Sequence, residues 1–485
     1  MILDSVAALA ALSTADLERR LERLFDAEPR LRPRAEEHDY QLTYPPAVAV
    51  EKPRYARAPS EAELRELGLG ALDGVAFYFH FGFCAYRCRY CFHYELKTRR
   101  DDALMARYVD ALALELDRAK ALAGDKRNLL YFLGGGTPTA LPTALLERFL
   151  DRLVSTLGRP PTALSTVEAK PVTATDDKLR ALVAAGFRRI NLGVQTLDPE
   201  LYAYHHHGED LRVAQSAIER ARKAGFDYVN IDVMTGLERQ SAASWDTTLR
   251  GLEGLCTSGA VDSVFIYPYH DDPRSKTYGQ PGLAPSFAET AATDAKARAL
   301  FERLGFSELG VRFYRSRRHV ARELLELARV RRSPTYGEVL YHGLGNSSFS
   351  VGDRATYLNH RDVGTYCEAV EAGRSAISHF ATLTDAQRAA RDVTFDLLYS
   401  PITRVRSREA KYGAAAMRPH LERFRRWAAL GLGTESPLFG TFTLTPLGKL
   451  VHQQMLAAHY LPADRAEQAL AMRARAALGR RYRGY

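Results

Sequence analysis

Cys84, Cys88 and Cys91 fall within one short stretch, "FGFCAYRCRYCFHYE" (81–95), of a 485-residue chain whose other cysteines, Cys256 and Cys367, stand alone. Thiolates bind soft metals, and four of them, usually as two C-x2-C pairs, close a structural zinc site. The spacing here is C-x3-C-x2-C, and no second pair follows. Two chemistries suit three thiolates. A neighbouring histidine, His80 or His93, can complete a zinc site; alternatively the thiolates hold three irons of a [4Fe-4S] cube and leave the fourth iron open to a ligand and to electron transfer. Five cysteines this clustered do not make a disulfide framework, and a reducing compartment keeps them as thiols. Cys256 and Cys367 read as packing residues.

Other candidate groups recur at the ends of apolar runs. "LGGGTP" places Gly134, Gly135, Gly136 and Thr137 after such a run, where glycine permits close backbone approach to a polar ligand. Glu168, Gln195 and Asp232 fall near the ends of three further runs. Polar groups there cost free energy unless they find a partner, so three of them on one rim suggest a shared ligand.

The elements that must position these groups are legible as strands and helices in alternation. Strands are predicted at 75–80, 129–133, 165–169, 189–194, 228–233 and 263–268, with amphipathic helices such as 103–123 and 213–225 between them. Six strand-helix repeats imply an α/β fold with a parallel sheet and crossover helices, open or curled into a partial barrel. Ligands then gather at the carboxyl ends of the strands. The cysteines follow the first strand and the glycines follow the second, so both lie on that rim.

Residues 1–30 predict an amphipathic helix that begins at Ser13 and Asp16, turns Leu17, Leu21, Leu24 and Phe25 to one face, and packs on the main body. Prolines at 45, 46, 53 and 59 mark an extended connector. Beyond about 310 the alternation weakens, and 382–461 reads as helices with one short strand pair, a small winged-helix-like domain.

With 46% hydrophobic and 26% charged residues the chain reads as globular and enzyme-sized. No run reaches the roughly 18 apolar residues of a membrane span, and the amino terminus lacks a basic n-region, so a cytoplasmic location is expected. The net charge of +9 is spread along the chain without a nucleic-acid module, which argues against nucleic acid as a partner. The densest basic runs, 312–322 and 473–485, read as solvated helix faces and a tail. His205, His206 and His207 read as a solvated helix end, with a metal patch as the alternative.

C-x3-C-x2-C with an aromatic, Tyr90, before the last cysteine resembles the signature of the radical S-adenosylmethionine (SAM) superfamily. More narrowly, "YFHFGFCAYRCRYC", "FLGGGTPTAL", "TVEAKP", "NLGVQTLDPELY", "NIDVMTGLERQ", "HGLGNSSFSVGDRATYLN" and "FTLTPLGKLV" run in the order of the oxygen-independent coproporphyrinogen III oxidase family. The resemblance implies a partial (β/α)6 barrel with an N-terminal helical extension and a small helical, winged-helix-like C-terminal domain. The corresponding boundaries are 1–60 for the helix and connector, 61–310 for the barrel core, 311–375 for a segment completing the SAM and substrate site, and 376–485 for the C-terminal domain.

The resemblance also implies that Cys84, Cys88 and Cys91 hold a [4Fe-4S] cluster whose open iron chelates SAM, which is cleaved to a 5'-deoxyadenosyl radical. By position Tyr78, Gly135, Glu168 and Phe349 would contact this SAM, with Tyr78 and His80 as the candidate catalytic pair, His80 beside the sulfonium. Tyr90, Gly136, Thr137, Gln195 and Asp232 would contact a second SAM. Two positions depart from the oxidases: Phe92-His93 replaces Gly-Cys after the third cysteine, and His207 stands where the family has an arginine.

Because the altered loop lies next to substrate, the first expectation is methyl or methylene transfer from a second SAM to an sp2 carbon of a small natural product. The alternatives are tetrapyrrole chemistry, either porphyrinogen decarboxylation or haem opening, in which Arg312, Arg315 and Arg317 meet propionates, and a haem-binding chaperone. An electron donor such as flavodoxin or ferredoxin is the expected partner, and in each case the protein's task is to place the cofactor and exclude water.

Overall fold

A computed structural model of the protein describes residues 5–33, 50–70, 74–91, 100–206, 208–269, 275, 285–317, 319–320, 340–400 and 402–479. The chain opens with two helices, α1 (Val6–Ala10) and α2 (Thr14–Ala27), where one was expected. Ser13 caps α2: its hydroxyl accepts from the Asp16 amide at 3.1 Å.

The sheet strands then alternate with helices in chain order. They run β1 (Gly74–Phe81), α3 (Asp102–Ala123), β2 (Arg127–Gly135), α4 (Thr143–Leu157), β3 (Thr166–Ala169), α5 (Asp176–Ala185) and β4 (Arg189–Gln195). After β4 come a short α6 (Pro199–His205) and α7 (Arg212–Ala224), then β5 (Tyr228–Thr235), α8 (Ala242–Thr257), β6 (Ser263–Pro268) and α9 (Phe287–Arg303). All six predicted strands are present, within two residues at either end. Strands β1 to β6 lie side by side in chain order, every pair parallel.

Each of these strands has a period of two, and its two faces differ in chemistry. Phe77, Phe79, Tyr131, Leu133, Val167, Ile190, Leu192, Val229, Ile231, Val264 and Ile266 are buried in one apolar core with α3, α4, α5, α7 and α8. The alternate positions, among them Tyr78, His80, Phe132, Glu168, Asn191, Gln195, Asn230, Asp232 and Phe265, are polar or aromatic and face away from those helices. Such a surface suits a ligand better than a second apolar layer of helices.

Beyond β6 the sheet is longer than the weakening alternation suggested. Strand β8 (Phe313–Arg315) adds antiparallel to β6, and β7 (Ser307–Gly310) adds antiparallel to β8 at the edge. At the other edge β9 (Leu340–Leu344) pairs parallel with β1, followed by antiparallel β10 (Phe349–Val351) and β11 (Ala355–Asn359). After α10 (Val363–Glu371), β12 (Ile377–Thr382) closes a sheet of twelve strands among the described residues.

The run at 312–322 is therefore not a solvated helix face where it is described. Arg312 and Arg315 are buried, while Arg317 is exposed. Arg312 pairs with Asp294 of α9 at 3.3 Å, and Arg298 joins the same carboxylate and Glu308.

The carboxyl-terminal elements are α11 (Asp385–Tyr399), β13 (Ile402–Thr403), α12 (Val405–Ala429), β14 (Gly433–Ser436), β15 (Thr441–Leu444), α13 (Pro446–Leu450), α14 (His452–Ala458) and α15 (Pro462–Gly479). The expected strand pair is a three-stranded antiparallel sheet, because the two-residue β13 adds to β15. Leu17, Leu21, Leu24 and Phe25 of α2 share a core with Ala291 and Ala295 of α9 and with Trp427, Phe442 and Met455. The amino-terminal helices thus bridge the last barrel helix and the carboxyl-terminal elements. Lys449 of α13 reaches Glu308 at 2.5 Å and ties those elements to β7.

The loop after β9 is fixed by a carboxylate with no local cue in the sequence. Glu115 of α3 is buried and accepts from the Gly345 amide at 2.7 Å, Asn359 Nδ2 at 2.7 Å and Tyr366 Oη at 2.6 Å. Removing it leaves three buried donors unmatched, which costs on the order of 2–4 kcal/mol. Glu115→Ala is expected to lose about that much in urea unfolding; a loss below about 0.5 kcal/mol would show that this carboxylate does not anchor the loop.

Candidate functional site

Tyr78 and His80 are two apart on β1 and so share a face, and the Tyr78 hydroxyl lies 3.0 Å from His80 Nδ1. His80 stands opposite Gly134 in the register of β1 with β2. Gly135, at φ +101°, adopts the left-handed region, and a Cβ there would fall 2.8 Å from the His80 ring. At Gly134 a Cβ would fall 2.6 Å from Glu168 Oε2. The two glycines therefore leave room between the histidine and the carboxylate that no other residue would leave.

The Gly136 amide donates to the Phe81 carbonyl at 2.8 Å, so the glycine turn is bonded to the point where β1 ends and the cysteine loop begins. Thr137 is buried, with its Oγ1 3.3 Å from Cys84 Sγ. Cys84 and Cys88 are buried and Cys91 half-buried. Burial pushes the Cys88 thiol up, and the nearby Lys170 ammonium and Tyr90 hydroxyl pull against it. Lys170 also donates to the Tyr86 carbonyl at 2.9 Å and stands 3.4 Å from the Tyr86 ring centroid. It follows directly on Glu168-Ala169 in "TVEAKP", the signal by which it could have been found.

Glu168 and Asp232 face the same space from β3 and β5. Burial, and for Glu168 then the Asp232 charge, pushes these carboxyls up to about 8 and about 7. Asn230 Nδ2 donates to Asp232 Oδ1 at 2.8 Å, and Ser263 Oγ donates to Asn230 Oδ1 at 2.6 Å. Asn191, on the face of β4 that carries Gly193 and Gln195, has a buried Oδ1 with no hydrogen bond among the described residues. Gln195 ends β4 at φ +70°, an unusual region for a side chain of its size. Phe349 joins the group through Gly343, which stands opposite Tyr78 and whose Cβ would fall 2.9 Å from the Phe349 carbonyl oxygen.

Tyr90 packs with Leu201, Met234 and Leu237, and its ring lies 5.7 Å from that of His205. The expected solvated helix end is instead interior. His205 and His206 are both fully buried; His205 Nε2 is 3.1 Å from the Glu238 carbonyl, and the His206 ring stacks on Tyr202 at 4.3 Å. Tyr86 Oη lies 3.2 Å from His206 Nδ1, so this corner braces the cysteine loop. His207, Phe92 and His93 lie outside the described residues.

Among the described residues no three His, Cys, Asp or Glu side chains are gathered as a single-ion site. One thiolate per iron is what a cubic cluster asks of three cysteines. The glycine cradle, the unspent Asn191 oxygen and the two carboxyls beside them fit a polar ligand such as an amino acid group.

Residues 78–251 match the Radical SAM superfamily. The chain is thus a radical SAM enzyme, of a superfamily that uses a [4Fe-4S] cluster and SAM, acts on small molecules and requires a reductant. Its homologues include the oxygen-independent coproporphyrinogen III oxidase of Bradyrhizobium diazoefficiens, 29% identical over 338 residues, 68% of this chain and 74% of that protein. The heme chaperone HemW of Bacillus subtilis is 33% identical over 208 residues, 41% of this chain and 52% of that protein. The structure of coproporphyrinogen III oxidase from Escherichia coli shares the fold, with a TM-score of 0.74 at 21% identity, covering 87% of this chain and 96% of that one. The expected α/β radical SAM fold is the observed one. No helix among the described residues is long and apolar enough to cross a membrane.

Two outcomes follow from this geometry. Anaerobic reconstitution is expected to load about four irons per chain, with the visible absorption of a cluster, and Cys88→Ala to lose both; a variant that keeps them would defeat the assignment of this thiol. The carboxyls of Glu168 and Asp232, at about 8 and about 7, hold protons in the native state that the unfolded chain releases at ordinary carboxyl values. Stability of the unloaded protein is therefore expected to fall as pH rises from about 5 to 8, by about 1.4 kcal/mol per unit for each proton involved. In urea titrations across that range Glu168→Gln should flatten the slope by about one proton, and an unchanged slope would mean the group is already ionised.

Proposed function

We propose that the protein acts in tetrapyrrole chemistry, removing carboxyl groups oxidatively from the propionate side chains of a porphyrinogen. The observation that carries this reading is the sequence likeness to coproporphyrinogen III oxidases, which extends over more than two thirds of both chains. The inner sheet face supports it. Phe132, Phe265 and Tyr267 offer rings, and the Arg189 and Arg315 guanidiniums flank Phe313 at 5.5 Å and 4.0 Å, positive charge that suits a carboxylate-bearing ring system.

A cluster and SAM, when bound, would supply the radical chemistry this reaction needs, removal of a hydrogen atom from the propionate, with carbon dioxide lost and one electron passed to an acceptor as the vinyl group forms. Cys84, Cys88 and Cys91 hold the cluster. The Gly134–Gly136 turn admits the amino end of SAM beside Glu168, whose carboxyl accepts an ammonium hydrogen once ionised. Tyr78 fixes the His80 ring through Nδ1, so that His80 would stand beside the sulfonium of a bound SAM, and Phe349 would contact the same molecule. Tyr90, Thr137, Gln195 and Asp232 line the place of a second SAM, with His207 in place of the family's arginine.

Methyl or methylene transfer, the first expectation from the altered Phe92-His93 loop, has less behind it, since the relatives compared are oxidases and a heme chaperone. Reduced, reconstituted protein with SAM and coproporphyrinogen III is expected to give 5'-deoxyadenosine and products lighter by successive carbon dioxide units in mass spectra. Products heavier by CH2 with S-adenosylhomocysteine would move the assignment to methyl transfer. Haem binding without SAM turnover would move it to a chaperone.

A further inference from the structure

A surface cavity of about 520 Å3 opens where the turn after α2 meets α12, lined by Pro29, Pro419 and Trp427, by three arginines, Arg30, Arg423 and Arg426, and by two carboxylates, Glu28 and Glu422. Its charges do not balance. Glu28 is buried and already committed to Arg426, whose Nη2 also donates to the Ala27 carbonyl at 2.7 Å. Arg423 has no such partner: its Nε and Nη1 are buried and make no hydrogen bond among the described residues. These two nitrogens carry three N–H donors.

The surroundings press the same way. Arg465 donates to the Arg30 carbonyl at 3.5 Å, and both arginines carry positive charge that acts on Arg423. Burial, then the charges of Arg30 and Arg465, pull Arg423 down to about 10, against a weaker opposite pull from Glu28 and Glu422. A buried cation with unspent donors and like-charged neighbours is destabilising by itself, and an anion removes the deficit.

We infer that this cavity binds an oxyanion, a phosphate or carboxylate group carried on a small molecule, with Arg423 as its inner cationic ligand and Arg30 at its rim. The Trp427 indole and the rings of Pro29 and Pro419 give the body of such a molecule an apolar wall. The site joins the amino-terminal turn to the carboxyl-terminal elements, whose shared core includes Trp427, so occupancy fastens the two together.

Inorganic phosphate and citrate are the probes, each titrated against the reconstituted full chain at constant ionic strength held with chloride. Melting temperature and the fluorescence of the tryptophans are followed. Wild type is expected to show a saturable rise of about 2 °C or more. Arg423→Gln should melt no lower than wild type in chloride and should lose the rise, while Arg30→Ser should shift the half-saturating concentration upward at least threefold. A response to phosphate alone identifies a phosphate group as the ligand chemistry, a response to citrate alone a carboxylate, and a response to both the shared oxyanion. The inference is overturned if chloride reproduces the wild-type rise, if neither probe raises it, or if Arg423→Gln responds as wild type does. It is also overturned if Arg423→Gln melts lower in chloride, since Arg423 would then be a satisfied structural residue.

Discussion

The carboxyl end of β1 is the point to which the rest of the site is referred. The His80 carbonyl accepts from the Tyr108 hydroxyl at 2.5 Å, and that same oxygen of Tyr108 accepts from the Asn346 amide at 3.2 Å. Gly345 comes so near that a Cβ on it would fall 2.3 Å from the His80 carbonyl oxygen, while Gly135 meets the His80 ring from the other side. A helix, the loop after β9 and the glycine turn after β2 are thus locked against one peptide unit. The cysteine loop leaves from that peptide, so the thiols inherit its position. A bulkier residue at either glycine would displace the loop as a whole rather than one contact in it.

A sheet with an apolar face toward its helices and a polar face toward its interior carries a cost, because carboxyls such as Glu168 and Asp232 are desolvated, and the Arg189 charge offsets only part of this at Asp232. Protonation relieves part of that cost, which is why both sit so far above ordinary carboxyl values. The apolar side offsets the remainder: Phe77, Phe79, Tyr131, Phe149 and Ile231 are wholly buried in one core, each contributing on the order of 1.5–3 kcal/mol. The polar interior is an expense of function borne by the core behind it.

The strands of the barrel and its rim residues were legible because their cues are local. Period-two apolar runs mark β1 to β6, and cysteine spacing, glycine triplets and strand-end carboxyls each fall within a few residues of one another. What escaped depends on distant pairs. Glu115 reads as an ordinary charge on an amphipathic helix, yet its partner amide at Gly345 is 230 residues away. Arg312 and Arg315 read as solvent-facing because arginine usually is, but Asp294 and the Phe313 ring take them into the interior. Strand β13 has two residues and no period to detect.

The histidines at 205 and 206 show how such a miss bears on the chemistry. Read as a polar helix end, they would be free to meet solvent or a metal. Buried, His205 is drawn down to about 4 and is neutral near pH 7, and the His206 ring lies flat on Tyr202 with Tyr86 at its edge. Tyr86 sits between Cys84 and Cys88, so these rings are the packing wall behind the thiol loop. The segment that carries the family's arginine position is thereby tied on its preceding side to the thiol loop. A change at His205 or His206 therefore acts first on how firmly the thiols are held, and only through them on which molecule meets the radical.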